Sequence, residues 1–424
     1  MNSTNKDLID IYRLKGGNEM QYRKLVENGE PLSVLGYGCM RFPTKNGRID
    51  EEKADSQMLY AYENGVNYYD TAYPYHAGKS EVMLGKFIKK YDIRDKVFIA
   101  DKLPAFLVSK EEQITNYFET QLKRLDTDYI DYYLMHMLDS LKTWESLKAL
   151  GILDFIKDKK KKGQIRHIGF SFHGRPEEFI AILEDYDWEF CQIQFNYLDE
   201  FNQAGLAGLK RANELGIGVV IMEPLRGGNL AAKAPERVKN KFDEYPEKRS
   251  PAYWALRWIW NHPEVAVVLS GMNVDEHIIE NIKAAEETQA DSMSEHEHQI
   301  INSVKEIYRE LMKVPCTGCN YCMPCPVNVD IPGTFTDYNN KYFFNDRQSQ
   351  FQYIGKTVGM MGIEKSGANL CIDCGKCEKH CPQEIEIRKE LKAAHKDLDN
   401  FIIRNGLKLV SLFMGGRSKK IKEA

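Results

Sequence analysis

"IDYYLMH", residues 130 to 136, is a near-continuous apolar run that ends at an imidazole. Such runs read as strands buried on both faces, since a strand with one wet face alternates apolar and polar side chains. Seven more have the same character: "LGYGCM", "GVNYYDTA", "KVFIADK", "IRHIGFS", "FCQIQFN", "GVVIMEPL" and "VAVVLSG". Amphipathic stretches separate them. Eight buried strands alternating with helices predict an α/β fold, a parallel sheet closed into a (β/α)8 TIM barrel. The rival is an open doubly wound sheet, but no G-x-G-x-x-G follows the early strands.

Residues that close barrel strands gather at one mouth, where such folds place their chemistry. Asp70 ends "VNYYD", Lys102 follows "FIAD", His136 closes the 130–136 run, and Tyr75 lies five residues after Asp70 in "DTAYPYH". In this order they resemble the catalytic tetrad of the aldo-keto reductases. The resemblance runs from about residue 20, where "YRKLVENGEPLSVLGYGCMRFP" is similar to the family's opening hairpin and first strand, to "GMNVDEHIIEN" near 285. It implies hydride transfer between a nicotinamide cofactor and a carbonyl or alcohol, with Tyr75 as general acid or base. Hydride reduction leaves an alkoxide that needs a proton, and a free phenol with a pKa of about 10 gives one up reluctantly. Lys102 is expected to lower the Tyr75 pKa, Asp70 to keep Lys102 charged, and His136 to hold the substrate carbonyl.

The resemblance also assigns cofactor contacts. Ser171 and Gln192 match the positions that hold the nicotinamide carboxamide, although Phe172 stands where the family has asparagine. Met222 takes the place of a stacking aromatic, and Pro224, Leu225 and Gly227 match the pyrophosphate loop. Ser270, Gly271 and Met272 follow the eighth strand, while Glu280 and Asn281 match the pair that meets adenine. NADP(H) is the cofactor the family implies. NAD(H) is the alternative, because Asp275, Glu276 and His277 occupy the stretch that holds Lys or Arg for a 2′-phosphate, and carboxylates repel phosphate.

Eight of the ten cysteines lie after residue 315. Cys316, Cys319, Cys322 and Cys325 precede Pro326, and Cys371, Cys374, Cys377 and Cys381 precede Pro382. Successive C-x2-C steps closed by C-P suit two 4Fe-4S clusters, with the last cysteine of each run crossing to the other cluster. That crossing groups Cys316, Cys319, Cys322 and Cys381, and separately Cys371, Cys374, Cys377 and Cys325. Two four-cysteine zinc sites are the competing reading, disfavoured because zinc ligands usually come in separated pairs. The second run matches the bacterial ferredoxin spacing in full, whereas the first has x2 where that pattern has x3. Residues 327 to 370 read mostly as helix, so the module looks like the alpha-helical ferredoxins. Cys39 and Cys191 lie in strand-like runs and read as buried small hydrophobes.

Composition sets the outer bounds. The chain has 424 residues, 43% of them apolar, and a formal charge of −4, which excludes the basic stripe that nucleic acid requires. No apolar run approaches the roughly 20 residues of a membrane span, and "MNSTNKDLID" lacks the features of a signal peptide, so a cytoplasmic location is expected. The expected organisation is an extension over 1–19, a barrel over 20–290, a linker helix over 291–314, a ferredoxin-type module over 315–395, and a C-terminal helix with a basic tail over 396–424. The whole arrangement resembles the ferredoxin-domain aldo-keto reductases of anaerobic bacteria. Two functions follow from the sequence: an oxidoreductase whose clusters exchange electrons with a ferredoxin or another partner, or a nicotinamide-binding redox sensor or assembly module with structural or reporter clusters. No flavin motif is evident.

Overall fold

The computed structural model describes residues 19–316, 318, 321–344, 347–360, 364–381, 383–405 and 407. The chain opens with an antiparallel hairpin, β1 (Tyr22–Lys24) with β2 (Pro31–Ser33), followed by the first barrel strand, β3 (Leu35–Gly38). A second small hairpin, β4 (Thr44–Lys45) with β5 (Arg48–Ile49), lies outside the barrel. The remaining barrel strands are β6 (Tyr68–Asp70), β7 (Phe98–Leu103), β8 (Ile130–Leu138), β9 (Ile165–Phe172), β10 (Phe190–Gln194), β11 (Gly218–Met222) and β12 (Val265–Ser270). All eight are parallel, each beside the next, and β12 closes the circle with Val268 opposite Leu35. Every apolar run predicted as a strand forms one.

The interior is solid. Tyr68, Tyr132, Leu134, Phe190, Val220 and Val267 pack there with Leu25 and Leu32, which the opening hairpin supplies. The plug fits so closely that a Cβ at Gly218 would lie 1.7 Å from the Leu25 carbonyl oxygen, a position only glycine can occupy. Arg23 fastens the hairpin by donating to the carbonyls of Trp260, His262 and Val265. The outer strand faces bury against the helices in a second, larger core that includes Trp144, Trp254 and Trp260.

The helix Glu295–Leu311 then runs back along the barrel. Its Ser294 cap and Glu297 form a reciprocal capping box, and Glu297 also accepts from Arg257 Nε at 2.6 Å and from Arg249 Nη1 at 2.5 Å. Beyond it, the helices Ile331–Phe344, Gln348–Val358 and Ile387–Leu398 surround a separate apolar core built on Val329, Phe335, Tyr353, Ile354 and Leu391. Phe343 and Phe344 belong to the barrel's core instead, so the helix Ile331–Phe344 stitches the two together. The expected extension over 1–18 and the basic tail over 408–424 lie outside the described residues. Among the described residues no helix is long and apolar enough to cross a membrane.

Candidate active site

At the C-terminal mouth, the ends of β6, β7 and β8 carry Asp70, Lys102 and His136, and the short turn Tyr75–Gly78 brings Tyr75 over them. Lys102 Nζ donates to Asp70 Oδ1 at 2.5 Å and to the Thr71 carbonyl at 2.7 Å. Gln192 Nε2 donates to the other carboxylate oxygen of Asp70 at 3.1 Å. The Lys102 ammonium also stands 5.2 Å from the centroid of the Tyr75 ring. The His136 ring stands edge-on to Tyr75 at 5.9 Å and meets Phe106 at 6.0 Å.

The electrostatics correct one expectation. Burial pushes the Tyr75 phenol up and Lys102 pulls it down, but withdrawal from water wins and the pKa stands at about 12, above that of free tyrosine. Burial also opposes charge on Lys102, yet Asp70 and Tyr75 outweigh it and hold the ammonium above its usual range. Burial raises the Asp70 carboxyl against the pull of Lys102 and Gln192; two donors facing its two oxygens fit an ionised carboxylate. Burial, then Lys102 and His173, press His136 well below the ordinary range, so it is a neutral imidazole that can donate one hydrogen bond.

Two features around the tetrad carry no sequence signal. After His136 the register between β8 and β9 breaks, and Met137 adopts a left-handed φ of 59° so that its N–H reaches Ser171 Oγ at 2.8 Å. Behind Lys102, the fully buried Asp101 accepts the Lys102 backbone N–H at 2.8 Å; buried Glu81, which Arg124 pairs at 2.6 Å, acts on it electrostatically. Burial, reinforced by Glu81, pushes the Asp101 carboxyl well above the carboxylate range.

The residues matched to a cofactor line the opposite side of the mouth. Gln192 Oε1 is buried without a partner, and Ser171, whose oxygen accepts from Met137, still has its hydroxyl proton to give. An acceptor and a donor so placed fit a carboxamide. Phe172, in place of asparagine, packs on Phe179 and contributes nothing polar. Met222 is half-buried at the end of β11, followed by buried Pro224, half-buried Leu225, and Gly227 with a left-handed φ of 68°. Met272 is buried, whereas Gly271 stays half-buried at the rim. Asn281 is buried and donates to Ser270 Oγ at 2.9 Å; half-buried Glu280 is the other member of the pair. Asp275 is paired with Lys53 and accepts from Gln57 at 3.0 Å. The acidic stretch expected to repel a 2′-phosphate is therefore partly neutralised by a lysine from a distant helix.

One organising group was missed in the sequence. Asp199 accepts from Gln194 and Asn196, each at 2.8 Å, and from Arg226 at 2.9 Å, locking the loop after β11 to the loop after β10.

In the cysteine-rich region, Cys322, Cys325, Cys371, Cys374 and Cys377 line one cavity of about 200 Å³. Cys325 of the first run thus shares a wall with three cysteines of the second. Cys316 and Cys381 are half-buried against the module's core, and Cys319 lies outside the described residues. Among the described residues no three Cys, His, Asp or Glu side chains close on a single ion. Cys39 and Cys191 are fully buried in the barrel.

The model of the aldo/keto reductase family matches residues 34–305. The chain belongs to this family. In this reductase a second match, to a 4Fe-4S dicluster domain, covers residues 315–386 and both cysteine runs. A probable aldo-keto reductase from Glycine max is 27% identical over 301 residues, covering 63% of this chain and 84% of that one. An aldo-keto reductase from Gibberella moniliformis is 31% identical over 231 residues, covering 52% of this chain and 67% of its own. Among solved structures, the holo form of an aldo-keto reductase from Bacillus halodurans superposes with a TM-score of 0.57 at 27% identity, over 68% of this chain and 96% of that one. The reductase is thus an oxidoreductase with an iron–sulfur region that its barrel relatives' span leaves uncovered.

Proposed function

We propose that the protein transfers hydride between NADP(H) or NAD(H) and a carbonyl or alcohol, with Tyr75 as the proton donor and acceptor. The observation that carries this reading is the buried Lys102, bonded to Asp70 and with its ammonium 5.2 Å from the Tyr75 ring, at the mouth of a family barrel. A bound nicotinamide supplies or accepts the hydride. Ser171 and Gln192 would hold its carboxamide, and Gly227 and Gly271 would let the chain approach its diphosphate closely.

The chain's own residues account for the proton. His136, neutral and beside Tyr75, donates a hydrogen bond to the substrate oxygen and turns the carbonyl to one face. Tyr75 stays protonated across physiological pH, since its pKa of about 12 leaves the phenol intact, and gives its proton to the oxygen as alkoxide character develops. Lys102 then stabilises the phenolate electrostatically, while Asp70, Thr71 and Gln192 keep that lysine and carboxylate in place. Phe106 against His136 and the packed barrel interior limit water beneath the reacting atoms.

The iron–sulfur region is read as two 4Fe-4S clusters. The cavity that brings Cys322 and Cys325 of the first run beside Cys371, Cys374 and Cys377 of the second supports ligand sets drawn from both runs, and the spacing groups Cys325 with Cys371, Cys374 and Cys377, and Cys316, Cys319 and Cys322 with Cys381. Clusters held by these cysteines would supply single-electron exchange with a ferredoxin or similar partner. The test is anaerobic: a panel of carbonyls is offered with NADPH and with NADH while the visible cluster absorbance is followed. Turnover supports the oxidoreductase reading, and cofactor binding without turnover on any member points instead to the sensor.

A further inference from the structure

Arg41 follows the first barrel strand in the short 3-10 turn Cys39–Arg41, and it is exposed. Its side chain crosses the rim of the barrel over Gly271: a Cβ placed on that glycine would meet Arg41 Cβ at 3.0 Å and Cδ at 3.1 Å. The guanidinium continues to the loop after β11, where a Cβ on Gly227 would lie 3.3 Å from Arg41 Nη2. The same point lies 3.5 Å from both amide atoms of Gln348. Gln348 belongs to the iron–sulfur region, at the first turn of the helix Gln348–Val358. Two glycine-bearing loops, a guanidinium and a side-chain amide therefore meet at the place where a dinucleotide's diphosphate would pass.

The meeting is held from below. Arg226, in the same loop as Gly227, is fixed by Asp199 and lies 5.9 Å from the ring centroid of Phe344, at the end of the helix Ile331–Phe344. Phe344 itself is buried in the barrel's core. The cysteine-bearing region is thus docked on the loop expected to bind the cofactor.

We infer that Arg41 and Gln348 bind the diphosphate of the nicotinamide dinucleotide, so that the iron–sulfur region completes the cofactor site of the barrel. This rests on the nicotinamide reading above. A guanidinium and a carboxamide N–H are suitable donors to diphosphate oxygens, and a hydrogen bond to a charged group contributes more than a neutral one. Both side chains are exposed, so their removal leaves the fold intact. Gly227 and Gly271 bear no side chain because one would fill the space between these donors.

The experiment measures dissociation constants for NADPH, NADH, ADP-ribose and AMP by titrating cluster-loaded protein under nitrogen, in wild type, Gln348→Ala, Gln348→Glu and Arg41→Ala. Gln348→Ala and Arg41→Ala are each expected to weaken NADPH and ADP-ribose about tenfold, the loss of one charge-assisted hydrogen bond. AMP, which lacks the diphosphate, is expected to be unaffected. Gln348→Glu should weaken the two diphosphate ligands more than Gln348→Ala, through repulsion. Unchanged NADPH and ADP-ribose affinity in the Gln348 variants, with tight binding in wild type, would overturn this inference and leave the nicotinamide reading standing. Wild type that binds neither NADPH nor NADH would overturn both.

Discussion

Raising the pH should act on the two directions of the reaction in opposite ways, and the Tyr75 environment sets the size of the effect. With the phenol at about 12, the phenolate fraction is about one in ten thousand at pH 8 and rises tenfold per pH unit. Alcohol oxidation needs that phenolate as base, so its kcat/KM should climb with a slope near one from pH 7 to at least pH 10. Carbonyl reduction needs the neutral phenol and should stay flat over the same range. Replacing Lys102 by Met removes the charge that pulls Tyr75 down against burial, so the oxidation limb should move to higher pH. The same change leaves Asp70 buried without its cation, a loss of about 3 to 5 kcal/mol of stability visible in urea unfolding. Initial rates with a turned-over carbonyl and its alcohol, in buffers of constant ionic strength, give both profiles. An oxidation profile that levels off below pH 9 in wild type, or one left in place by Lys102→Met, would refute the burial argument.

The other predictions concern separate parts of the molecule. Glu297 is buried, which works against its charge, but Arg257, the Ser294 N–H and Arg249 hold it at about 2. Its folded pKa lies below the unfolded value, so this stability is present at neutral pH and is lost as pH falls from about 4.5 toward 2; allowing for solvent screening, Glu297→Gln should cost about 2 kcal/mol at pH 7 in urea unfolding, with the difference closing in acid. Cys325→Ser should lower iron per chain by about half, because it removes a ligand from one of two clusters, and an unchanged iron count would remove Cys325 from the ligand set. Stripping the clusters by chelation should loosen the packing of the helix Gln348–Val358 and weaken NADPH binding by about the factor seen for Gln348→Ala, as read by the same titration.

The barrel was legible because each of its strands is buried on both sides, so the apolar runs and the polar residues closing them could be read directly. Asp70, Lys102 and His136 come from the adjacent strands β6, β7 and β8, in the same order along the chain as around the mouth, and Tyr75 lies in the turn that follows β6. What the sequence could not show is the balance of opposed terms. Lys102 beside Tyr75 predicts a lowered pKa, but the depth of burial decides the sign, and depth is a property of packing. Contacts between distant loops were equally silent. Lys53 reaches Asp275 across 222 positions, and Arg41 lies over Gly271 and shares the surroundings of Gly227 with Gln348, without any periodic pattern to mark them. The bond from Asn281 to Ser270, two positions matched separately to the cofactor, likewise joins a helix to a strand end that no spacing connects.

The most direct measurement of the central claim is single-turnover reduction by Tyr75→Phe, run with a carbonyl that wild type reduces and with NADPH binding measured on the same sample. The account predicts a rate lower by about 10²- to 10⁴-fold, the usual contribution of a positioned general acid, with the NADPH dissociation constant unchanged. A variant that reduces the carbonyl at the wild-type rate would contradict it.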